Sequence, residues 1–197
     1  MTADNALGER LRRALAAPAR VAPLEGDFPE LRRRANVEAA VLIAITERDE
    51  PGVILTVRRE HLRTHAGQIA FPGGRVDPGE DKVQAALREA HEEVGLDPQL
   101  VEVAGAIEAY RTVTGYVITP VVGAVPPDLP LRPHEHEVAE LFEAPLGYVL
   151  DPANHKRVSA LFQGRTRYYY EIIWNNRRIW GATAAMIVNL SRRLQWR

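Results

Sequence analysis

Residues 74–96 read GRVDPGEDKVQAALREAHEEVGL. It opens in turn-forming residues and continues in a helical period that Gly95 closes, with Pro98 beyond. The spacing predicts a helix from about residue 80 to 94. Projected at about 100° per residue with Glu89 at zero, Glu93 falls at about +40° and Glu92 at about −60°. Val83, Ala86, Leu87, Ala90 and Val94 fall between roughly +60° and +160°, an apolar stripe that would pack on a sheet. Three carboxylates thus share one face at the edge of the core, beside the buried stripe rather than opposite it.

Like charges three and four residues apart repel by a few tenths of a kcal/mol per pair. Negative charge near a helix C-terminus adds to that cost. A divalent cation would remove both. Carboxylate oxygens suit Mg²⁺ or Mn²⁺, which keep coordination positions for water and for substrate phosphates. Such ions can neutralise a pyrophosphate, activate water and stabilise the leaving oxygen of an in-line displacement.

Outward from this helix, the chain alternates strand-like and helix-like stretches. Leu7, Leu11, Ala14 and Leu15 recur at helical spacing, predicting an amphipathic helix over 5–17 that Pro18 and Pro23 end. Arg32, Arg33 and Arg34 read as a solvated lead-in to a strand. Residues 41–46 and 53–57 are β-branched runs joined by Asp49, Glu50, Pro51 and Gly52, a hairpin signal. Strands are expected over 101–110, 116–125 and 137–142, with a proline-rich connection at 126–133. Residues 168–174 and 177–180 flank Asn175-Asn176, a second hairpin signal. A last helix is predicted over 181–194. The mixed order predicts one compact α/β domain, divided into an N-terminal helix and lead-in at 1–36 and the main body at 37–197.

With 25 Lys plus Arg against 26 Asp plus Glu in 197 residues, the formal charge is −1, which argues against a polycation and against broad attraction to nucleic acid or membrane. There is no cysteine, so disulfides, thiolate metal sites and thiol nucleophiles are excluded and any metal must take oxygen or imidazole ligands. No apolar run approaches the roughly 18 residues of a membrane span. The first residues lack the apolar core of a secretory signal, and a cytoplasmic location is expected.

Residues 74–96 match G-x5-E-x7-R-E-U-x-E-E-x-G-U, with U a bulky apolar residue, at Gly74, Glu80, Arg88, Glu89, Glu92, Glu93, Gly95 and Leu96. Seven fixed positions arise by chance in a chain of this length about once in a million. Ala90 is smaller than the apolar residue usual at its place. The segment resembles the Nudix box. The resemblance implies a Nudix hydrolase, an α/β/α sandwich with a mixed sheet, flanked here by N-terminal and C-terminal helices. It implies Glu89, Glu92 and Glu93 as the Mg²⁺ or Mn²⁺ face, Glu89 and Glu93 first among them, with Arg88 and Glu80 as an ion pair orienting loop on helix. Gly74 would let the loop backbone come close to the metal. The general base varies within the family. Glu92 is the first candidate, with Glu89, Glu108, Glu135 and Glu137 also open.

Immediately upstream, Leu55, Thr56, Arg58, Arg63, Gly67, Phe71, Pro72, Gly73 and Gly74 fit L-T-x-R-x4-R-x3-G-x3-F-P-G-G, which resembles the signature of coenzyme A pyrophosphatases. The likeness extends to residues 119–123, 137–138, 145–146 and 179–184. Arg59 stands where that subfamily has a small residue, and it reads as a surface residue. The resemblance implies hydrolysis of coenzyme A to 4′-phosphopantetheine and adenosine 3′,5′-bisphosphate, with Arg58, Arg63, Gly73 and Gly74 on the substrate. Residues 54–68 carry a surplus of +2, apt for phosphate oxygens. Acyl and oxidised forms of coenzyme A stand equal with the free thiol. Gly67 is expected to serve backbone shape and Phe71 to pack. His61, His65 and His91 lack zinc-motif spacing and read as bystanders. Two other readings are an ADP-ribose or nucleotide-sugar hydrolase and a non-catalytic nucleotide sensor. The first is weakened by Arg111 and Thr112 where such enzymes carry a proline; the second by four intact box carboxylates. Oligomeric state is not legible.

Overall fold

The computed structural model describes residues 7–19, 21–26, 37–60, 67–162 and 164–195. Arg32, Arg33, Arg34, His61, Arg63 and His65 lie outside the described residues. In chain order the elements are α1 (Leu7–Ala16), β1 (Val37–Thr46), β2 (Gly52–Arg58), β3 (Ile69–Ala70), β4 (Gly73–Arg75), α2 (Lys82–Val94), β5 (Glu102–Ala106), β6 (Tyr110–Arg111), β7 (Tyr116–Val125), β8 (Val138–Pro145), α3 (Leu146–Leu150), β9 (Lys156–Phe162), β10 (Arg165–Trp174), β11 (Arg177–Trp180) and α4 (Gly181–Leu194).

β1 organises the molecule. Its run is apolar on both sides because both faces are covered: Ala40, Leu42 and Ala44 face α2, whereas Val41, Ile43 and Ile45 face the layer that contains α1, α3 and α4. It pairs parallel with β7 along its whole length, and antiparallel with β2 and β4. The main sheet runs β3-β2-β1-β7-β5, with β4 on β1, β6 on β7 and β8 on β2; β11-β10-β9 form a separate sheet. This is the α/β/α layering with a mixed sheet that the resemblance implied. Helix α1 buries Leu7, Leu11 and Leu15 in the same core as α4, and Asn189 of α4 exchanges hydrogen bonds with the backbone of Leu24.

The expected strand over 101–110 is broken into β5 and β6. The break lies opposite Pro120 of β7, which has no N–H to offer a partner; its carbonyl takes the N–H of Ile107 at 3.0 Å instead. The helix expected from residue 80 begins at Lys82. Asp81 caps it, accepting from the amides of Val83 and Gln84 while Gln84 accepts from the Asp81 amide, a reciprocal cap. Gly95 closes it in the left-handed region at φ 69°. Ala90 is fully buried among Ala40, Ala44, Ala85 and Ala86, so its small size matches the layer it enters. Elements β3, α3 and β9 are additions to the sequence reading, and β4 forms where turn residues were expected because Gly73–Arg75 pair antiparallel with Ala39–Val41 of β1.

Candidate active site

One end of the sheet gathers the end of β2, β4, the turn before β8 and the carboxylate face of α2. Gly74 pairs with Ala40 on the α2 side of the sheet, and a Cβ on it would run into the carboxylate of Glu89. The missing side chain is what lets strand and carboxylate meet. One residue earlier, the Gly73 amide donates to Oε2 of Glu93 at 3.1 Å. Arg58 ends β2, where the register with β8 shifts, and sets its Nη1 3.6 Å from Oε1 of Glu93.

Burial grades the three helix carboxylates. The side chain of Glu93 is 6% exposed, that of Glu89 17% and that of Glu92 58%. Burial pushes the Glu93 carboxyl up to about 7; the Gly73 amide and the Arg58 charge oppose the rise, and Glu89 and Glu137 add to it. Glu89 is also raised, by burial first, with Arg88 opposing and Glu92 and Glu137 adding. These two carboxyls are the ones that dehydration makes costly to ionise.

Arg88 is the bracket of the loop. Its guanidinium meets both oxygens of Glu80, at 2.9 and 3.1 Å, as well as the carbonyl of Arg75 at 3.0 Å. Its remaining nitrogen reaches Glu89 at 3.0 Å and Glu92 at 3.1 Å. Glu80 is held below the ordinary carboxylate range by Arg88 first.

The reserve carboxylates separate. Glu108 lies 3.9 Å from Arg193 of α4, in the layer opposite α2. Glu135 and Glu137 sit in an exposed turn fastened to α2 by the His134 amide, which donates to the Glu93 carbonyl at 2.7 Å. Of these three, Glu137 is the one whose charge bears on both Glu89 and Glu93. Arg59, read as a surface residue, is half-buried; its amide donates to the Glu137 carbonyl at 3.0 Å, and its Nε is shielded. Phe71 is buried, as expected of a packing residue, and Gly67 takes φ 68°. His91 turns Nδ1 to the Leu96 carbonyl at the helix end, away from the cleft. The contact of Arg58 with Glu93 was not readable in the sequence, because it joins elements 35 positions apart with no shared period.

The donor set fits a hard divalent ion. Glu89 and Glu93 offer carboxylate oxygens whose ionisation burial disfavours, a condition that a cation would reverse. Among the described residues no three His, Asp or Glu side chains already close around a cation position.

The description NUDIX domain matches residues 36–163. Over 166 residues the chain is 44% identical to a protein of Escherichia coli O6:H1 named Uncharacterized Nudix hydrolase NudL, covering 83% of this chain and 86% of that one. A protein of the same name from Shigella boydii serotype 18 matches at the same identity and coverage. Among solved structures, the Nudix hydrolase RenU from M. Smegmatis aligns with a TM-score of 0.51 at 26% identity, over 59% of this chain and 75% of that one. A MutT/nudix family protein from Enterococcus faecalis aligns at 0.51 and 15% identity, over 81% of this chain and 62% of that one, a likeness of fold.

Proposed function

Because this chain belongs to the NUDIX domain family and is a Nudix hydrolase by its relatives, we propose that it is a Mg²⁺- or Mn²⁺-dependent pyrophosphohydrolase of coenzyme A and its acyl or oxidised forms. The products are 4′-phosphopantetheine and adenosine 3′,5′-bisphosphate. The meeting of Glu89, Glu93, the Gly73 amide and Arg58 at one sheet end carries the hydrolase chemistry. The substrate rests on the motif at residues 55–74, which supplies Arg58 and both glycines to that same place. No described helix is long and apolar enough to cross a membrane.

Glu89 and Glu93 would hold the ion, with Glu92 at the solvent side of the same face. A bound divalent ion supplies charge neutralisation of the pyrophosphate and acidification of the attacking water. Arg58 stands ready to exchange its long contact with Glu93 for a phosphate oxygen, its Nε being buried without a hydrogen-bond partner among the described residues. Arg63 adds a second guanidinium from the same motif. Glu137 accepts the proton of the attacking water from across the cleft, with Glu92 as the alternative acceptor. The Arg88 bracket keeps Glu89 and the β4 backbone in place while the substrate binds.

Purified protein incubated with Mg²⁺ or Mn²⁺ and, separately, coenzyme A and ADP-ribose tests the reading. Release of 4′-phosphopantetheine and adenosine 3′,5′-bisphosphate is expected. Cleavage of ADP-ribose with coenzyme A left intact assigns the site to the other substrate class.

A further inference from the structure

β4 presents its two last residues to opposite sides of the sheet. Gly74 faces α2 and the Glu89 carboxylate, whereas Arg75 pairs with Ala39 and emerges on the other side. There its guanidinium is seated on Tyr116 of β7, whose hydroxyl accepts from Nη2 at 3.0 Å and from Nε at 3.3 Å, with the ring 5.7 Å below. Among the described residues no carboxylate pairs with Arg75. Its side chain is exposed, and its carbonyl is tied by Arg88, the same guanidinium that holds Glu89. A braced guanidinium with no carboxylate partner among the described residues therefore stands one residue from the glycine that faces Glu89, on the far side of the strand from the Arg58 and Glu93 pair.

We propose that Arg75, braced by Tyr116, is a specificity residue that binds a substrate phosphate remote from the bond that is cleaved. The ligand chemistry is a nucleotide bearing a phosphate monoester on its ribose in addition to the pyrophosphate. The bridge lies over the α2 side of the sheet end, and the chain of the nucleotide passes β4 to reach Arg75. Guanidinium suits this task because it binds phosphate through paired N–H groups and stays charged at every working pH. The brace lowers the ordering cost by fixing the planar group on an aromatic ring before substrate arrives. This inference rests on the coenzyme A reading, since ADP-ribose has no such phosphate.

The experiment compares kcat/KM for coenzyme A and for its 3′-dephospho form in the wild type, Arg75→Ala, Arg75→Lys and Tyr116→Phe. Arg75→Ala is expected to lose about 10- to 100-fold on coenzyme A, mainly in KM, and less than about 3-fold on the dephospho form, as the loss of one charge-assisted contact implies. Arg75→Lys restores part of the loss, and Tyr116→Phe gives a smaller loss with the same substrate dependence. Equal losses on both substrates, or none on either, overturn the proposal. A binding arm separates its failure from that of the substrate reading. Adenosine 3′,5′-bisphosphate should bind the wild type more tightly than adenosine 5′-monophosphate does, and Arg75→Ala should abolish the difference. Absence of that difference in the wild type overturns the subsite whichever pyrophosphate is cleaved.

Discussion

The amide of Gly73 donates to Oε2 of Glu93 at 3.1 Å, so the first residue of β4 is bonded to the most buried carboxylate of α2. That single amide and a 3.6 Å approach by Arg58 do not offset the dehydration of Glu93, and its carboxyl titrates near 7 in the folded chain against an ordinary 4.5. The sign of the pH effect follows. Below about 4.5 both folded and unfolded chains hold the proton and the stability is at its fullest. As pH rises from there to about 7, the unfolded chain releases the proton and the folded chain does not, so stability falls by roughly 3 kcal/mol in all. Above that it is flat. Urea midpoints of the metal-free protein at pH 5 and pH 8 should show this fall, and Glu93→Gln should remove most of it. An unchanged fall in the variant would place the titration elsewhere.

Glu89 is positioned by Gly74 on one side and Arg88 on the other. Replacing it by Gln keeps the shape and removes the charge that a cation needs. Glu89→Gln should lower kcat/KM by more than about 100-fold, beyond the 10- to 100-fold typical of groups behind the ligands. Calorimetric titration with Mn²⁺ should show weakened binding in parallel. Wild-type Mn²⁺ affinity in the variant argues that Glu89 is not a ligand.

Gly74→Ala places a methyl group where the Glu89 carboxylate lies. The carboxylate is the end of a flexible side chain and swings aside, so folding survives with a change in Tm of only a few degrees. Its position for the metal does not survive. Activity is expected to fall at least 10-fold, with partial recovery at high Mn²⁺. Full activity at low metal would show that Glu89 tolerates displacement.

The fold was legible where a period reports burial. The 3.6-residue period of α2 revealed both its apolar stripe and its carboxylate face, because one helix holds both. β1 was recognisable as a strand, yet its parallel partner β7 begins some 70 positions later and no local signal names it. Pro120 was visible as a residue but not as the cause of the break between β5 and β6, since that depends on which strand lies opposite. In the candidate site, the shared helix face of Glu89 and Glu93 was readable by spacing. The wheel placed Glu92 beside them but could not show that Arg88 would claim it at the solvent edge. Arg75 drew no attention at all, because its meaning comes from Tyr116, which the sheet and not the sequence places beside it.

Asn175 and Asn176 turn the β10–β11 hairpin with φ of 45° and 60°. Two successive left-handed residues are the mark of the two-residue turn that matches strand twist, and Asn tolerates that region through its short polar side chain. Asn176→Val should cost about 1–2 kcal/mol, measured by thermal or urea unfolding, while Asn176→Gly should stay within about 0.5 kcal/mol of the wild type. An Asn176→Val variant as stable as the wild type would mean that the turn relaxes to another geometry.

The proton acceptor is decided by comparing Glu137 with Glu92. Glu92 is exposed and engaged by Arg88, so an amide in its place loses one surface contact and leaves the cleft as it was. Glu137 is held by its backbone, through the Arg59 amide and the His134 carbonyl, so substitution of its side chain leaves these turn contacts in place. Its charge adds to the rise of both buried carboxyls. Glu137→Gln is therefore expected to lower kcat by about 100- to 1,000-fold with KM and Mn²⁺ affinity nearly unchanged, the scale of a lost general base. Glu92→Gln should cost less than about 10-fold. The reverse ranking of the two variants, measured under saturating metal, assigns the proton transfer to Glu92 on the helix and leaves Glu137 to shape the electrostatics of the cleft.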